Sequence, residues 1–376
     1  MIKRVAVIIT ATVALWTLAL QCQAQASNVI LVTLDGMRWQ EVFRGIDAKL
    51  AADLTFNRLG EPLTAMFGAA TAQASAEKIF PFLHGVIGKQ GVLLGNRDAG
   101  SCVHVTNPWY FSYPGYNEIL TGVVDPVIDT NEAKPNPNTT FLEWLHKHAD
   151  GFAGKVQAFG SWDAFPAIIN AERSGIVVNV KNPDSDALMA KLQGDLPTLW
   201  PTVRYDAFAH HYALQALKND NPRVMYIAYG ETDDFAHEGH YEQYLLAANR
   251  TDRFLREIWD TVQSDPFYRN NTVLLITTDH GRGEAPLETW QHHASKASLA
   301  GYMKSLEAYQ EGIVGSDATW IAAIGKDVPA RGPVKTAACV GSNQVAATLL
   351  SLLGLDPAEF NPAAGAPIDA IVGHAP

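Results

Sequence analysis

The sequence predicts an α/β protein with a largely parallel central sheet sandwiched between helices. Three apolar runs carry that prediction, residues 28–34, 223–229 and 271–278, the first and last rich in Val, Ile and Leu and the middle one built of Val, Met, Tyr, Ile and Ala, all continuous instead of alternating. A strand buried on both faces reads this way, because neither side of its pleat meets water. Helical patterns separate the runs, and strand–helix–strand steps of that kind build a parallel sheet covered on both faces. Each run ends in polar residues: Asp35-Gly36, Gly230-Glu231-Thr232-Asp233 and Asp279-His280-Gly281. Open α/β sheets bind their ligands at such carboxyl ends.

Residues 1–26 read as a secretory leader. Lys3 and Arg4 precede an apolar segment, and Ala24-Gln25-Ala26 supplies a small-x-small cleavage pattern. The mature domain is expected to span 27–376, exported to a periplasm or beyond. It should have no stable membrane anchor, since the apolar segment is short for a bilayer. An apolar content of 47% supports a sizeable core and excludes disorder. Without residues 1–26 the chain keeps 26 basic and 39 acidic residues, a net charge of −13. That balance argues against a nucleic-acid groove or an anionic membrane surface, so any anionic small molecule must be attracted locally. Cys102 and Cys339 remain after cleavage, compatible with one disulfide or with two thiols.

In chain order, residues 28–34 are the first buried strand. Residues 91–95 and 101–106 read as short strands that a turn over 96–100 would join as a hairpin. Ser112-Tyr113-Pro114 opens a helix with Ser112 in its first turn, and Thr121-Gly122 ends it. Residues 123–138 form a proline-containing loop near whatever Ser112 faces. Thr139 is expected to cap a helix through 148, ahead of a strand over 155–159. Residues 163–202 are polar and weakly patterned, an insertion over the site whose expected task is substrate selection. Amphipathic helices over 203–217 and 241–263 precede the strands at 223 and 271. A final strand over 316–324 and a closing helix over 342–353 complete the fold.

Asp233 and His237, four apart after a buried strand, share one face if the chain turns helically there. That spacing alone says little, but Asp35 and Asp279-His280 stand at sister strand ends. Trp290-Gln291-His292-His293 adds imidazoles, one of which completes a second site. Carboxylate and imidazole donors suit zinc, or else manganese, better than calcium or magnesium. Chain position sorts them into two divalent cations: one held by Asp35, Asp279, His280 and the Ser112 oxygen, the other by Asp233, His237 and a histidine of the 292–293 pair. Paired cations clamp the attacking and leaving oxygens of an in-line displacement at phosphorus. No histidine or aspartate spacing offers Ser112 a protease-like triad, so metal coordination is the route by which it becomes a nucleophile. Arg38 and Arg282 each follow a ligand closely; Arg282 is taken as a phosphate contact, against the commoner salt-bridged fate. Glu231 and Asp234 flank a ligand as orienting neighbours, and Asn117 is a capping or packing group.

The set Asp35-Gly36, Ser112-Tyr113-Pro114, Asp233-x-x-x-His237, Asp279-His280-Gly281 and a later histidine resembles the alkaline phosphatase superfamily. The likeness is greatest to its nucleotide pyrophosphatase/phosphodiesterase and phosphoglycerate-mutase-like branches, and it covers residues 28–353. In the pyrophosphatase branch an aromatic residue and proline follow the nucleophile and Thr-Gly closes the helix; Ser112-Tyr113-Pro114 and Thr121-Gly122 match, with serine replacing threonine. An asparagine beyond the Thr-Gly binds a phosphate oxygen in that branch, and Asn131 is the nearest match after a shorter loop. Relatives place the late histidine three residues after a tryptophan, which selects His293, although Ala294 stands where they often have glycine. The resemblance implies an alkaline phosphatase-like two-metal hydrolase of small-molecule phosphate esters, diesters or monoesters, with a covalent intermediate on Ser112. The alternatives are a phosphoglycerate-mutase-like phosphotransfer enzyme, which the leader disfavours, and a metal-stabilised binding protein without catalysis. A sulfatase is disfavoured because no Cys-x-Pro-x-Arg stands at the nucleophile position.

Overall fold

The computed structural model describes residues 26–181 and 186–373; the expected leader lies outside them except for Ala26. The strands there are β1 (Asn28–Leu34), β2 (Val92–Leu94), β3 (Val103–His104), β4 (Val156–Gly160), β5 (Val177–Asn179), β6 (Val224–Tyr229), β7 (Thr272–Thr277), β8 (Ala318–Thr319), β9 (Ile321–Gly325), β10 (Gly332–Pro333) and β11 (Val340–Gly341). Eight form one sheet in the order β10-β2-β9-β7-β1-β6-β4-β5. The five from β7 to β5 are mutually parallel. β9 alone runs against its neighbours β7 and β2.

The continuous apolar runs are explained by two cores, one on each face. Ile30, Val32 and Leu34 of β1 join Met225, Ile227 and Tyr229 of β6 on one side. Val29 and Leu31 join Val224, Tyr226 and Ala228 on the other. The first face is covered by helices Asp206–Asn219 and Tyr241–Ser264, the second by Ser112–Thr121, Phe141–His148 and Val345–Leu352. In the longest of these, Tyr241, Tyr244, Leu245, Ala248, Leu255, Ile258 and Val262 recur at three- and four-residue spacing and are buried, as an amphipathic helix requires. Among the described residues no helix is long and apolar enough to cross a membrane.

Several expectations need correction. Residues 91–95 and 101–106 do not pair as a hairpin, because β2 has β9 and β10 on its two edges and none left for β3. β3 instead lies between β11 and β8 in a separate three-stranded sheet, where Cys102 and Cys339 are disulfide-bonded. The strand expected over 316–324 is two strands in different sheets, parted at Trp320, whose buried indole donates to the Met37 carbonyl at 3.0 Å. Thr140, not Thr139, caps helix Phe141–His148 by accepting from the Glu143 N–H. The polar section 163–202 is partly sheet, since it supplies the edge strand β5.

Candidate metal centre and its pocket

Three parallel neighbours deliver the site. The registers Leu34↔Tyr229 and Thr33↔Thr277 bring the ends of β1, β6 and β7 level, so the polar residues that follow leave the sheet together. After β6 the chain turns at once into helix Glu231–His237, which carries Asp233 and His237 one turn apart. Gly36 sits at φ +58° and its N–H donates to Asp279 Oδ1 at 3.0 Å. A Cβ there would come within 2.7 Å of Asp233 Oδ1, so glycine is what lets these segments close on each other. At Gly115 a Cβ would lie 2.4 Å from the Asp279 carbonyl oxygen. That close approach seats the Ser112 helix against the end of β7.

The first donor group gathers around His280. Its Nε2 lies 3.4 Å from both Asp35 Oδ1 and Asp279 Oδ2 and 3.5 Å from Ser112 Oγ. Asp35 Oδ2 accepts from the Tyr116 hydroxyl at 2.7 Å, whereas Asp35 Oδ1 and Asp279 Oδ2 are buried without a hydrogen-bond partner. Orphaned carboxylate oxygens are costly in an interior unless positive charge compensates them. His280 Nδ1 donates to the Gly281 carbonyl at 2.9 Å, and that bond aims Nε2 at the two carboxylates. Burial lowers the His280 pKa, but Asp279, the contact with Asp35, and Asp233 outweigh it and push it up to about 9. Burial and the neighbouring Asp35 hold Asp279 well above the usual carboxylate range. A set of buried carboxylates and an imidazole that so favours positive charge fits a divalent cation.

The second group centres on Asp233. His237 Nε2 is 3.2 Å from Asp233 Oδ2 and 3.0 Å from His293 Nε2, which in turn lies 3.7 Å from Asp233 Oδ1. His293 Nδ1 donates to the Tyr110 carbonyl at 3.1 Å. Burial works against ionised Asp233, yet His237 and Arg282 pull its pKa well below the usual range. The His280 and His293 rings stack 3.8 Å apart, so the two groups adjoin. Asp35, Asp279 and His280 offer atoms within 4.8 Å of one another, and so do Asp233, His280 and His293. His292 is not brought in; its ring lies 6.2 Å from that of Tyr309.

Ser112 is the first residue of its ten-residue helix, and Phe111 is the cap. Asn131 reaches the same place: its Oδ1 accepts from the Tyr113 N–H at 2.9 Å and the residue lines the cavity described below. Arg282 differs from expectation. It is fully buried, with Nε donating to the Trp290 carbonyl at 3.0 Å, Nη2 to the Gln291 carbonyl at 2.7 Å, and Nη1 to Asp233 Oδ1. It is thus a positioning residue that ties Asp233 to the 290–293 loop, and no phosphate contact. Arg38 is likewise buried, paired with Glu41. Asn117 packs as expected, its Oδ1 accepting from Asn136 and Asn138.

A cavity of about 700 Å³ opens over both groups, with Asp35, Ser112, Asn131, Asp233, His237 and His293 in its lining. Thr202, Gly230, Asp234 and Ser305 also line it, as do Trp162, Trp200, Val203, Tyr302 and Met303, and no motif indicated these last five. Tyr116 was also missed, although it lies one helical turn after Ser112, on the same helix face. A larger cavity, about 910 Å³, near Asp327, Leu352 and Asp369 contains none of these donors.

Residues 196–311, which hold Asp233, His237, Asp279, His280 and His293, match the family model described as "Metalloenzyme superfamily". That match covers less than half of the chain; the fold is alkaline phosphatase-like. The wild-type alkaline phosphatase PafA superimposes with a TM-score of 0.56 at 11% identity, over 93% of this chain and 99% of that one. The lipoteichoic acid synthase LtaP from Listeria monocytogenes gives 0.54 at 12%, over 89% and 73%. A putative sulfatase from Bacteroides thetaiotaomicron gives 0.57 at 13%, over 94% and 76%. Identities this low speak to fold alone. No curated protein matches the sequence.

Proposed function

We propose that the protein is an exported two-metal hydrolase of phosphate esters that works through a covalent intermediate on Ser112. The observation that carries this reading is the convergence of Ser112 Oγ, at a helix start, with the Asp35, Asp279 and His280 group beside the Asp233, His237 and His293 group. Asp35, Asp279, His280 and Ser112 would hold one cation and Asp233, His237 and His293 the other, with zinc the first choice for these donors. When bound, such ions supply Lewis-acid stabilisation of charge on the phosphate and favour the ionised serine.

The chain's own residues supply the rest. Ser112 Oγ bonds to phosphorus as the ester bond to the leaving oxygen breaks, and water then cleaves the phosphoserine. Helix Ser112–Thr121 turns the positive end of its dipole toward the site, which favours the negative charge carried by both attacking oxygen and phosphoryl group. Asn131, fixed through its carbonyl by the Tyr113 N–H, keeps its amide NH2 to donate to a phosphate oxygen. Tyr116 orients Asp35, and Arg282 orients Asp233.

Export draws support from the leader pattern and from the Cys102–Cys339 disulfide, a bond that persists in oxidising compartments. Phosphate is preferred over sulfate because Ser112-Tyr113-Pro114-Gly115-Tyr116 lacks the Cys-x-Pro-x-Arg pattern from which sulfatases make formylglycine. The test is turnover of p-nitrophenyl phosphate beside its bis-ester and p-nitrophenyl sulfate, after loading with zinc or with manganese. Release from a phosphate ester that depends on metal and on Ser112 is expected; release from the sulfate alone would overturn the reading.

A further inference from the structure

Beside the metal donors the cavity holds a carboxylate that neither they nor the fold employ. Asp234 is 6% exposed and lines the cavity, yet its side chain makes no hydrogen bond and no ion pair with any described residue. The other polar residues of helix Glu231–His237 are all engaged. Glu231 accepts from the Asp206 N–H at 3.0 Å and pairs with Arg250, and Thr232 Oγ1 donates to the Asp35 carbonyl at 2.6 Å. Asp233 and His237 form the second donor group. The task expected of Asp234, orienting Asp233, is filled by Arg282.

Successive residues leave a helix about 100° apart, so Asp234 departs on a different side from Asp233. Its Oδ2 lies 4.0 Å from the point where a Cβ on Gly230 would stand, and that point is 3.6 Å from the Ser161 Cβ. The carboxylate therefore faces the ends of β4 and β6, where Gly230 and Trp162 share the cavity wall with it. Neither lysine nor arginine occurs among the described residues of that wall. A buried carboxyl group without a partner is costly, so its partner belongs to what fills the cavity. A carboxyl oxygen accepts a hydrogen bond whether or not the acid is ionised, which makes the partner a donor in either state.

We propose that Asp234 determines specificity by accepting a hydrogen bond from an ammonium or hydroxyl group on the organic part of the phosphate ester. This deepens the hydrolase reading above and rests on it. An ester lacking such a donor would desolvate the Asp234 carboxylate and leave it unpaired, which is how a site built around a polar contact rejects a close analogue.

The test measures binding to the full chain loaded with zinc, by titration calorimetry, so that turnover does not enter. The probes are alkylphosphonates with two- and three-carbon arms that end in ammonium, hydroxyl or methyl; carbon replaces their ester oxygen, so ester hydrolysis leaves them intact. At one of the two lengths an ammonium or hydroxyl end should bind about tenfold tighter than the methyl end, the scale of a hydrogen bond to a charged group. Asp234→Ala should cut that advantage below about threefold with the zinc content unchanged. Should Asp234→Ala fail to fold, Asp234→Leu fills similar space without an acceptor and carries the same expectation. A donor advantage under about twofold at both lengths overturns the proposal, as does one that survives the substitution. Loss of zinc from the variant also overturns it, by making Asp234 a support of the metal ligands. If none of the phosphonates binds the zinc-loaded chain, the phosphate site itself is removed and the hydrolase reading falls, a result distinct from binding that ignores the end of the arm.

Discussion

Ser112 separates a nucleophile from a helix-start serine by the size of the loss on mutation. The cap of its helix is Phe111, and Ser112 Oγ makes its contact with His280, so capping does not account for the residue. Ser112→Ala is expected to lower kcat by several orders of magnitude with both metals kept, whereas loss of an ordinary cap costs only about 1 kcal/mol of stability. A variant retaining more than about a tenth of the wild-type rate would remove Ser112 from the mechanism. The late histidines give a second prediction. His293→Ala should release one of two metals and most activity, while His292→Ala should leave elemental analysis unchanged. The reverse result would move the ligand by one residue. These donors were legible in the sequence because strand ends and helical spacing fix where they go. Arg282 was not: its position after Gly281 shows a nearby cation, but not that the turn points it behind Asp233 into the carbonyls of Trp290 and Gln291. Nor were Trp162, Trp200 and Tyr302, which reach the cavity from segments distant in the chain without any spacing of their own.

At the scale of elements, strands and helices with strong periodicity were legible and pairing between short ones was not. Val92–Leu94 and Val103–His104 look like a hairpin locally, yet which edges remain free for pairing is decided by strands more than 200 residues away. A similar long-range tie appears where helix Tyr241–Ser264 meets the segment at 82–83. Asp252 is buried there and accepts from the N–H groups of Phe82 and Leu83 at 2.7 and 2.9 Å. Burial pushes its pKa up to about 7 against those bonds. The folded value thus lies above the unfolded one, near 4, and the folded chain holds this proton more tightly. Its stabilising contribution is complete below about pH 4 and is lost as pH rises through about 7. Asp252→Asn keeps an acceptor and cannot ionise. In denaturant titrations, the variant's stability relative to wild type is expected to improve between pH 5 and pH 8, by on the order of a few kcal/mol. A difference that stays flat with pH would mean that Asp252 is ionised throughout.

Across the whole molecule, stability and the site are coupled through charge. Asp35, Asp233 and Asp279 are buried together, so cations that bind the folded chain alone should stabilise it, by about 4 kcal/mol at a thousandfold excess over Kd. Chelation should therefore lower the melting temperature and re-addition of zinc restore it; a melting temperature indifferent to both would sink the two-metal reading. The disulfide offers a separate brace. Cys102 and Cys339 are 237 residues apart in sequence, and the loop they close contains every proposed ligand except Asp35. Removing such a link typically costs about 2–5 kcal/mol, which predicts a drop of several degrees for Cys339→Ser. Turnover at room temperature should survive it. The chain that continues from β3 toward Ser112 is held separately by Glu118, whose carboxylate accepts from the backbone and side chain of both Thr106 and Asn107 at 2.8–2.9 Å. Glu118 lies on the Ser112 helix itself, so these four bonds hold the nucleophile's approach in place without the sulfur bridge. Combining Cys339→Ser with Glu118→Gln should then lower turnover more than the product of the single effects, because each tie covers for loss of the other. Strict additivity would show that the bridge and the carboxylate act on the fold independently of Ser112.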